Sequence, residues 1–229
     1  MPAGKEYVAL MHIHKEIEEK KIRNVLNECI GTISQLPPVR SAVKRQVRQR
    51  RVYYIQILAI QNQDVLFRIG CQGGTYIRKF IHDVGQKLKV GAHMAQLVRT
   101  KAGPFTDKDY VSLQDLKDAY EFWKQGDETN MRKAILPFER AVDHLKKIWV
   151  FDNVVNNICH GSYLGVQGIA KLSAGIKKDE TVVVMTLKDE CVALAKAVLT
   201  SEEMIQKEKE CAAKTEKVFM PRNIYTTKK

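Results

Sequence analysis

Residues 6–14, EYVALMHIH, alternate apolar and polar positions closely enough to predict a strand with one face turned to a core. Ile17, Ile22, Val25, Leu26 and Cys29 then fall at helical spacing among charges, so an amphipathic helix is expected over 16–29. Gly31 and the pair Pro37-Pro38 force an extended or turning stretch. Residues 52–60 and 65–71 read as the two strands of a hairpin joined around 61–64. Gly73 and Gly74 break the second strand, and Thr75 is placed to cap a helix carrying Ile77, Phe80, Ile81, Val84 and Leu88 on one face. Residues 91–99 read as another extended piece closed by Gly103-Pro104, and 112–123 and 131–135 as two short helices.

The pattern changes near His144. Short apolar runs at 148–150, 168–172, 181–187 and 191–198, parted by glycine and charged turns, predict a small β-barrel, and a charged helix is expected from Ser201 on. The fold class is therefore α+β, with a boundary within 141–147 that divides the chain into 1–143 and 144–229.

Composition sharpens the choice of partner. Hydrophobic residues make up 45% and charged residues 28%, as in a folded domain, while the 38 Lys and Arg against 26 Asp and Glu leave a formal net charge of +12. That balance favours a polyanion, nucleic acid ahead of an anionic membrane surface. No apolar run approaches the roughly 20 residues of a spanning helix, and no signal peptide opens the chain, so the cytosol or nucleus is expected. The five cysteines include no C-x-x-C pair, which points to neither a disulfide framework nor a zinc site. His12 and His14 would share a strand face, but no third metal ligand lies near them in sequence.

Three features carry candidate chemistry. The glycine turn in GCQGGTYIRKF feeds a helix N-terminus, where anions bind, yet it has neither G-K-S/T nor G-x-G-x-x-G spacing and also reads as a plain structural turn. Arg78 lies in the first turn of that helix, where the dipole disfavours a cation; it either holds a carboxylate or phosphate or snorkels to solvent. The tract RSAVKRQVRQRR over 40–51 holds six cations and no acid, and Tyr53 and Tyr54 follow it. Phosphate contacts with base stacking, or a solvated strand edge, would each explain it.

The stretch GGTYIRKFIHDVGQKLKVGAHMAQLVRTKAGPF over 73–105 resembles the TruB and dyskerin branch of the pseudouridine synthases, and the archaeal H/ACA guide-RNA-dependent enzymes most of all. The resemblance extends back through KEYVALMHIH and LPPVRSAVKRQVRQRRVYY, and forward through HGSYLGVQGIAKLSAGIKKDETVVVMTLKDE and KVFMPRNIY. It implies the C-terminal part of a mixed or antiparallel catalytic sheet domain, followed by a small PUA barrel that holds the lower stem and ACA trinucleotide of a guide RNA. By position, Tyr7 matches the tyrosine that stacks on the target base, Arg78 the arginine that pairs with the nucleophilic aspartate, and Leu97 the leucine against the flipped uridine. Tyr76 supports the same pocket. Arg40, Lys44, Arg45, Arg48, Arg50, His160, Gly161, Lys171 and Arg222 become candidate RNA contacts.

The resemblance further implies uridine-to-pseudouridine isomerisation in ribosomal or other RNA, with no cofactor or metal. Its implied partners are guide and substrate RNA, a small zinc-binding companion, a glycine- and arginine-rich companion and a kink-turn-binding protein. The location is cytoplasmic in an archaeon and nucleolar in a eukaryote. One departure stands out: the family's aspartate sits in a G-T-L-D-P type motif, which residues 1–229 lack. Asp64, Asp83, Asp107 and Asp109 have the wrong surroundings to replace it. The expectation is an incomplete chain, inactive alone, that takes the aspartate from outside it, possible sources including a separate chain with the missing half. The alternatives are a non-catalytic guide-RNA-binding scaffold and a stand-alone transfer-RNA modifier of the TruB kind.

Overall fold

Alternation in the first strand sets the frame on which the rest is built. The computed structural model describes residues 4–37 and 44–225, which form two compact units dividing between Tyr110 and Val111. In the first unit β1 (Lys5–Ile13) is followed by α1 (Glu19–Glu28), β2 (Gly31–Gln35), β3 (Arg48–Gln61), β4 (Asp64–Cys71), α2 (Ile77–Leu88), β5 (Ala92–Ala102) and β6 (Phe105–Thr106). The six strands make one antiparallel sheet in the order β2-β3-β4-β1-β5-β6.

Ala9, Met11 and Ile13 point to one face, where they meet Val65, Phe67 and Ile69 of β4 and the apolar sides of α1 and α2. Ile77, Phe80, Ile81, Val84 and Leu88 are all buried there, as their 3.6-residue spacing predicts. The hairpin between β3 and β4 closes over Asn62 and Gln63, with Asn62 at φ 53°, a left-handed position that asparagine tolerates.

Several boundaries depart from the sequence reading. The first helix begins at Glu19 rather than at residue 16, and the basic tract is itself strand from Arg48 onward. Thr75 does not cap α2: Tyr76 is the N-cap, with no side-chain cap, and the Thr75 hydroxyl donates to the Gln72 carbonyl at 2.7 Å. Thr75 is buried and serves the glycine turn instead of the helix end.

The face of the sheet away from the helices carries a polar knot. Thr100 donates to Glu6 Oε1 at 2.6 Å, the Tyr54 hydroxyl donates to Glu6 Oε2, and Arg68 lies 4.0 Å from the same carboxylate. Burial pushes the Glu6 carboxyl up, but the Thr100 and Tyr54 bonds and the Arg68 and Lys101 cations outweigh it, so it sits below its ordinary value. The Tyr54 phenol is pushed up to about 12, first by burial and then by the Glu6 carboxylate that its proton serves. A depressed folded pKa stabilises above the unfolded value, and that stability is lost as pH falls through the folded one. Unfolding free energy should therefore drop on acidification below about pH 4.3, less steeply in Glu6→Gln. Urea midpoints at pH 3 and pH 7 check this, and equal pH dependence in the two proteins would remove Glu6 from the account.

The second unit opens with α3 (Leu113–Lys124) and α4 (Thr129–Ala134). Ser112 caps α3, accepting from the Asp115 amide at 3.0 Å while Asp115 accepts from the Ser112 amide at 3.1 Å. There follow β7 (Lys146–Val150), α5 (Asp152–Cys159), β8 (Leu164–Gly165), β9 (Ile169–Leu172), β10 (Thr181–Met185), β11 (Cys191–Ala197), α6 (Ser201–Gln206) and β12 (Cys211–Val218). The strands form a curled, nearly closed sheet ordered β8-β12-β11-β10-β7-β9, in which only the β7–β10 pairing is parallel.

Two expectations fail in this unit. The charged helix from Ser201 stops at Gln206, and residues 211–218 form a strand because Ala212 and Ala213 are needed inside the barrel. The helix α5 is absent from the sequence reading, since its run DNVVNNIC is short and rich in asparagine and β-branched residues that favour other structure. Its buried side, Val155, Ile158 and Cys159, is fixed by packing onto the barrel. No helix among the described residues is long and apolar enough to cross a membrane.

Candidate nucleic-acid and isomerase site

Register decides which candidate residues meet. On the helix-covered face, β1 pairs with β5 so that Ala9 lies opposite Leu97 and Tyr7 opposite Arg99, with register shifts at Glu6/Tyr7 and Leu10/Met11. Directly paired residues share a face, so Tyr7 and Leu97 stand one step apart on adjacent strands. Leu97 is 37% exposed, an apolar wall left open. Tyr7 is half-buried, and burial, with Cys71 in support, pushes its phenol up, whereas hydrogen-bonded Arg99 pulls it down. Burial likewise pushes the Cys71 thiol up, with Thr75 pulling against it.

Side-chain hydrogen bonds help to hold the turn. Thr75 bonds Gln72 as described, Arg50 Nε donates to the Gly74 carbonyl at 3.3 Å, and Gln35 grips the peptide of Tyr76. Gly74 is at φ 84°, where a side chain would be strained. Arg78 sits in the first turn of α2, is exposed, and has no hydrogen bond or ion pair with any described residue. Asp83 is paired to Lys79 at 2.5 Å, Asp64 to His12 at 2.7 Å, and Asp109 closes a capping box with Thr106, so these acids are engaged elsewhere.

Arg48 and Arg50 lie opposite Gln35 and Ile33, on the face that also buries Val52. The basic strand therefore adds Arg48 and Arg50 to the face that holds Tyr7 and Leu97, while Arg51 alternates to the other. Arg48 Nε is buried without a hydrogen-bond partner, an unsatisfied donor at the rim of this face. Lys44 and Arg45 are exposed just before the strand, and Arg40 falls outside the described residues. His12 and His14 gain a neighbour that sequence spacing hid: His14 Nε2 and His93 Nδ1 are 3.0 Å apart. Among the described residues, however, no group of three or more His, Cys, Asp or Glu is arranged to hold a metal ion.

In the second unit, Asn156 gathers two of the candidates. Its carbonyl lies 2.8 Å from His160 Nδ1, and its side-chain oxygen accepts from the Asn223 amide at 3.0 Å, bringing Arg222 toward the end of α5. Gly161 follows at φ 89° with open space where a Cβ would point. Beside it a cleft of about 450 Å³ is lined by Asn153, Asn157, Ser162, Tyr163 and Gln167, polar groups the sequence reading missed. Lys171 belongs elsewhere: it covers the Trp149 ring at 4.5 Å and lines a separate hollow of about 550 Å³ with Ser201 and Lys207.

A first unit with Tyr7 and Leu97 on one sheet face and Arg78 at the start of α2, and a second unit built as a small barrel, define a pseudouridine synthase C-terminal segment joined to a PUA domain. Residues 78–143 match the tRNA pseudouridylate synthase B C-terminal domain, 146–219 the PUA domain and 2–104 the C-terminal region of Pus10. The chain is 57% identical over 227 residues to a probable tRNA pseudouridine synthase B of Pyrococcus abyssi, covering 98% of this chain and 68% of that protein. The corresponding protein of Nanoarchaeum equitans is 53% identical over 224 residues, 97% of this chain and 64% of its own length.

Among solved structures, the Cbf5-Nop10-Gar1 complex contains a chain matched with TM-score 0.90 at 56% identity, over 98% of this chain and 69% of that one. An H/ACA particle bound to a substrate RNA containing 2'-deoxyuridine contains another, at TM-score 0.88 and 52% identity, over 98% and 68%. The chain belongs to the TruB and dyskerin family of pseudouridine synthases, on its archaeal H/ACA side.

Proposed function

We propose that this chain supplies the tyrosine, arginine and leucine of a guide-RNA-dependent site that converts uridine to pseudouridine, with the aspartate contributed from outside residues 1–229. The observation that carries this reading is the state of Arg78: an exposed guanidinium at a helix start, where the dipole disfavours it, without a carboxylate among the described residues. A guanidinium so placed suits a planar carboxylate, and pairing would keep that acid ionised for attack.

Chemically, the N1–C1′ bond of the target uridine breaks with its electron pair left on N1, the base turns, C5 bonds to C1′, the C5 proton leaves, and N1 takes up a proton. The base must first leave its stack and be enclosed, so that water does not trap the detached state. Leu97 supplies an apolar wall and the Tyr7 ring a stacking surface. The Tyr7 hydroxyl relays the C5 proton as a hydrogen-bonding group, the carboxylate taking it as base. Lys44, Arg45, Arg48 and Arg50 would track phosphates, and the Asn156-centred end of α5, with His160, Gly161 and Arg222, would hold the guide. Lys171, on a different hollow, would meet another part of that RNA. The relatives' particles support small protein companions and substrate RNA as partners here too. The scaffold reading stays secondary, since Tyr7 and Leu97 keep an open, shared face.

Release of tritium from 5-tritiated uridine tests this. The chain, a segment bearing the G-T-L-D-P aspartate, guide RNA and substrate should release tritium together, and omission of the segment or the guide should stop it. A well-folded complete mixture without release would leave the scaffold.

A further inference from the structure

We infer that Gln35 is a positioning residue for the isomerase site: its buried carboxamide sets the start of α2 and thereby the direction of Arg78. This rests on the proposed role of Arg78. The helix α2 begins with no side-chain cap on Tyr76 and no acid in its first turn, so its exposed amide ends lack the usual local partners. The anchor comes from β2. The Tyr76 amide donates to Gln35 Oε1 at 3.0 Å, and Gln35 Nε2 donates to the Tyr76 carbonyl at 3.2 Å. One side chain thus bonds both backbone polar groups of a single residue, and so two consecutive peptides, two residues ahead of Arg78, fixing translation and rotation together.

Burial argues that the contact serves geometry. Gln35 is 2% exposed, and the other buried polar residue of the first unit, Thr75, is bonded to the same turn. An amide in an apolar core costs desolvation that a methionine of similar shape would not incur, and the cost is offset only while both bonds are made. Opposite Gln35 on β3 stands Arg48, with its unpartnered Nε. The rung Gln35–Arg48 joins the basic strand to the turn that aims Arg78.

Two variants separate positioning from plain stability. Gln35→Met keeps the volume and removes both bonds. Gln35→Glu keeps the acceptor, but donates to the Tyr76 carbonyl only when protonated. In the complete mixture, with guide and substrate RNA, Gln35→Met should lower single-turnover kcat about 10- to 100-fold, while substrate KM and guide affinity stay within about twofold. Gln35→Glu should be impaired at pH 8 and regain rate as pH falls toward 5.5, a limb that wild type lacks. Were Gln35 only structural, Tm would fall and the folded fraction would turn over at the wild-type rate.

Hydrogen exchange on the chain alone supplies a readout independent of turnover. Protection of the Tyr76 amide, which bonds Gln35, and of the Phe80 amide, which bonds the Tyr76 carbonyl at 2.9 Å, should drop at least about tenfold in Gln35→Met, with β1 and β4 unchanged. Wild-type silence in the mixture would count against the function proposed above. Unchanged protection at Tyr76 and Phe80, or wild-type kcat with a wild-type pH profile in both variants, would overturn the inference about Gln35.

Discussion

Replacing Arg78 by alanine is expected to reduce pseudouridine formation by the completed enzyme about 10³-fold while leaving guide-RNA affinity within a few fold. Removing one partner of a desolvated ion pair costs about 3–5 kcal/mol, and each 1.36 kcal/mol is a factor of about ten in rate. Once the target base and the aspartate are enclosed, the pair would sit away from water, so the upper part of that range applies. Arg78→Lys should recover only a small part of the rate, because an ammonium cannot present the planar fork that matches a carboxylate. Tritium release and filter binding on the same preparations measure both quantities. A large loss of guide binding, or a rate within tenfold of wild type, would count against the assigned role.

Gly85→Ala is expected to have the largest effect on stability. Two effects oppose each other. Alanine favours a helix interior over glycine by about 1 kcal/mol, but a Cβ at position 85 would lie 2.2 Å from the Ala92 amide nitrogen and 2.6 Å from the Gly91 carbonyl carbon. Those atoms are backbone, drawn in because the Gly91 amide donates to the Gly85 carbonyl at 3.0 Å and Lys89 turns the chain at φ 63°. They cannot retreat without detaching β5 from α2, and overpacking of this kind costs about 3 kcal/mol or more. The clash wins by roughly 2 kcal/mol, a fall of about 8–16 °C in the melting temperature of a unit this size. A melting temperature within about 2 °C of wild type would show that the α2–β5 return is looser than described.

Period, punctuation and spacing made much of the first unit legible. The strand around Tyr7, the hairpin around Asn62 and the apolar stripe of α2 all follow from side chains whose local preference agrees with their tertiary use. What escaped was decided by partners distant in sequence. Gln35 reads as an ordinary polar residue before a proline pair, and only the register of β2 brings it to Tyr76. Arg99 reads as one more surface cation until β1 and β5 are aligned. His93 likewise meets His14 only through that alignment.

In the second unit, DNVVNNIC has the composition of a strand or turn and becomes helix because the barrel buries one side of it. The polar cleft beside α5 was hidden with it, since Asn153 and Asn157 converge only on a helical repeat. Lys171 and His160 both fall in the segment that resembles a PUA domain, but the sequence does not show that Trp149 holds Lys171 over a different hollow.

The pairing of Arg78 with a carboxylate from outside these residues is tested most directly by carbon-13 titration of that aspartate in the completed, guide-bound enzyme. With wild-type Arg78 the carboxyl should titrate well below the ordinary value of about 3.9, and in Arg78→Gln it should return to or above it. Identical titration in the two proteins would contradict the account.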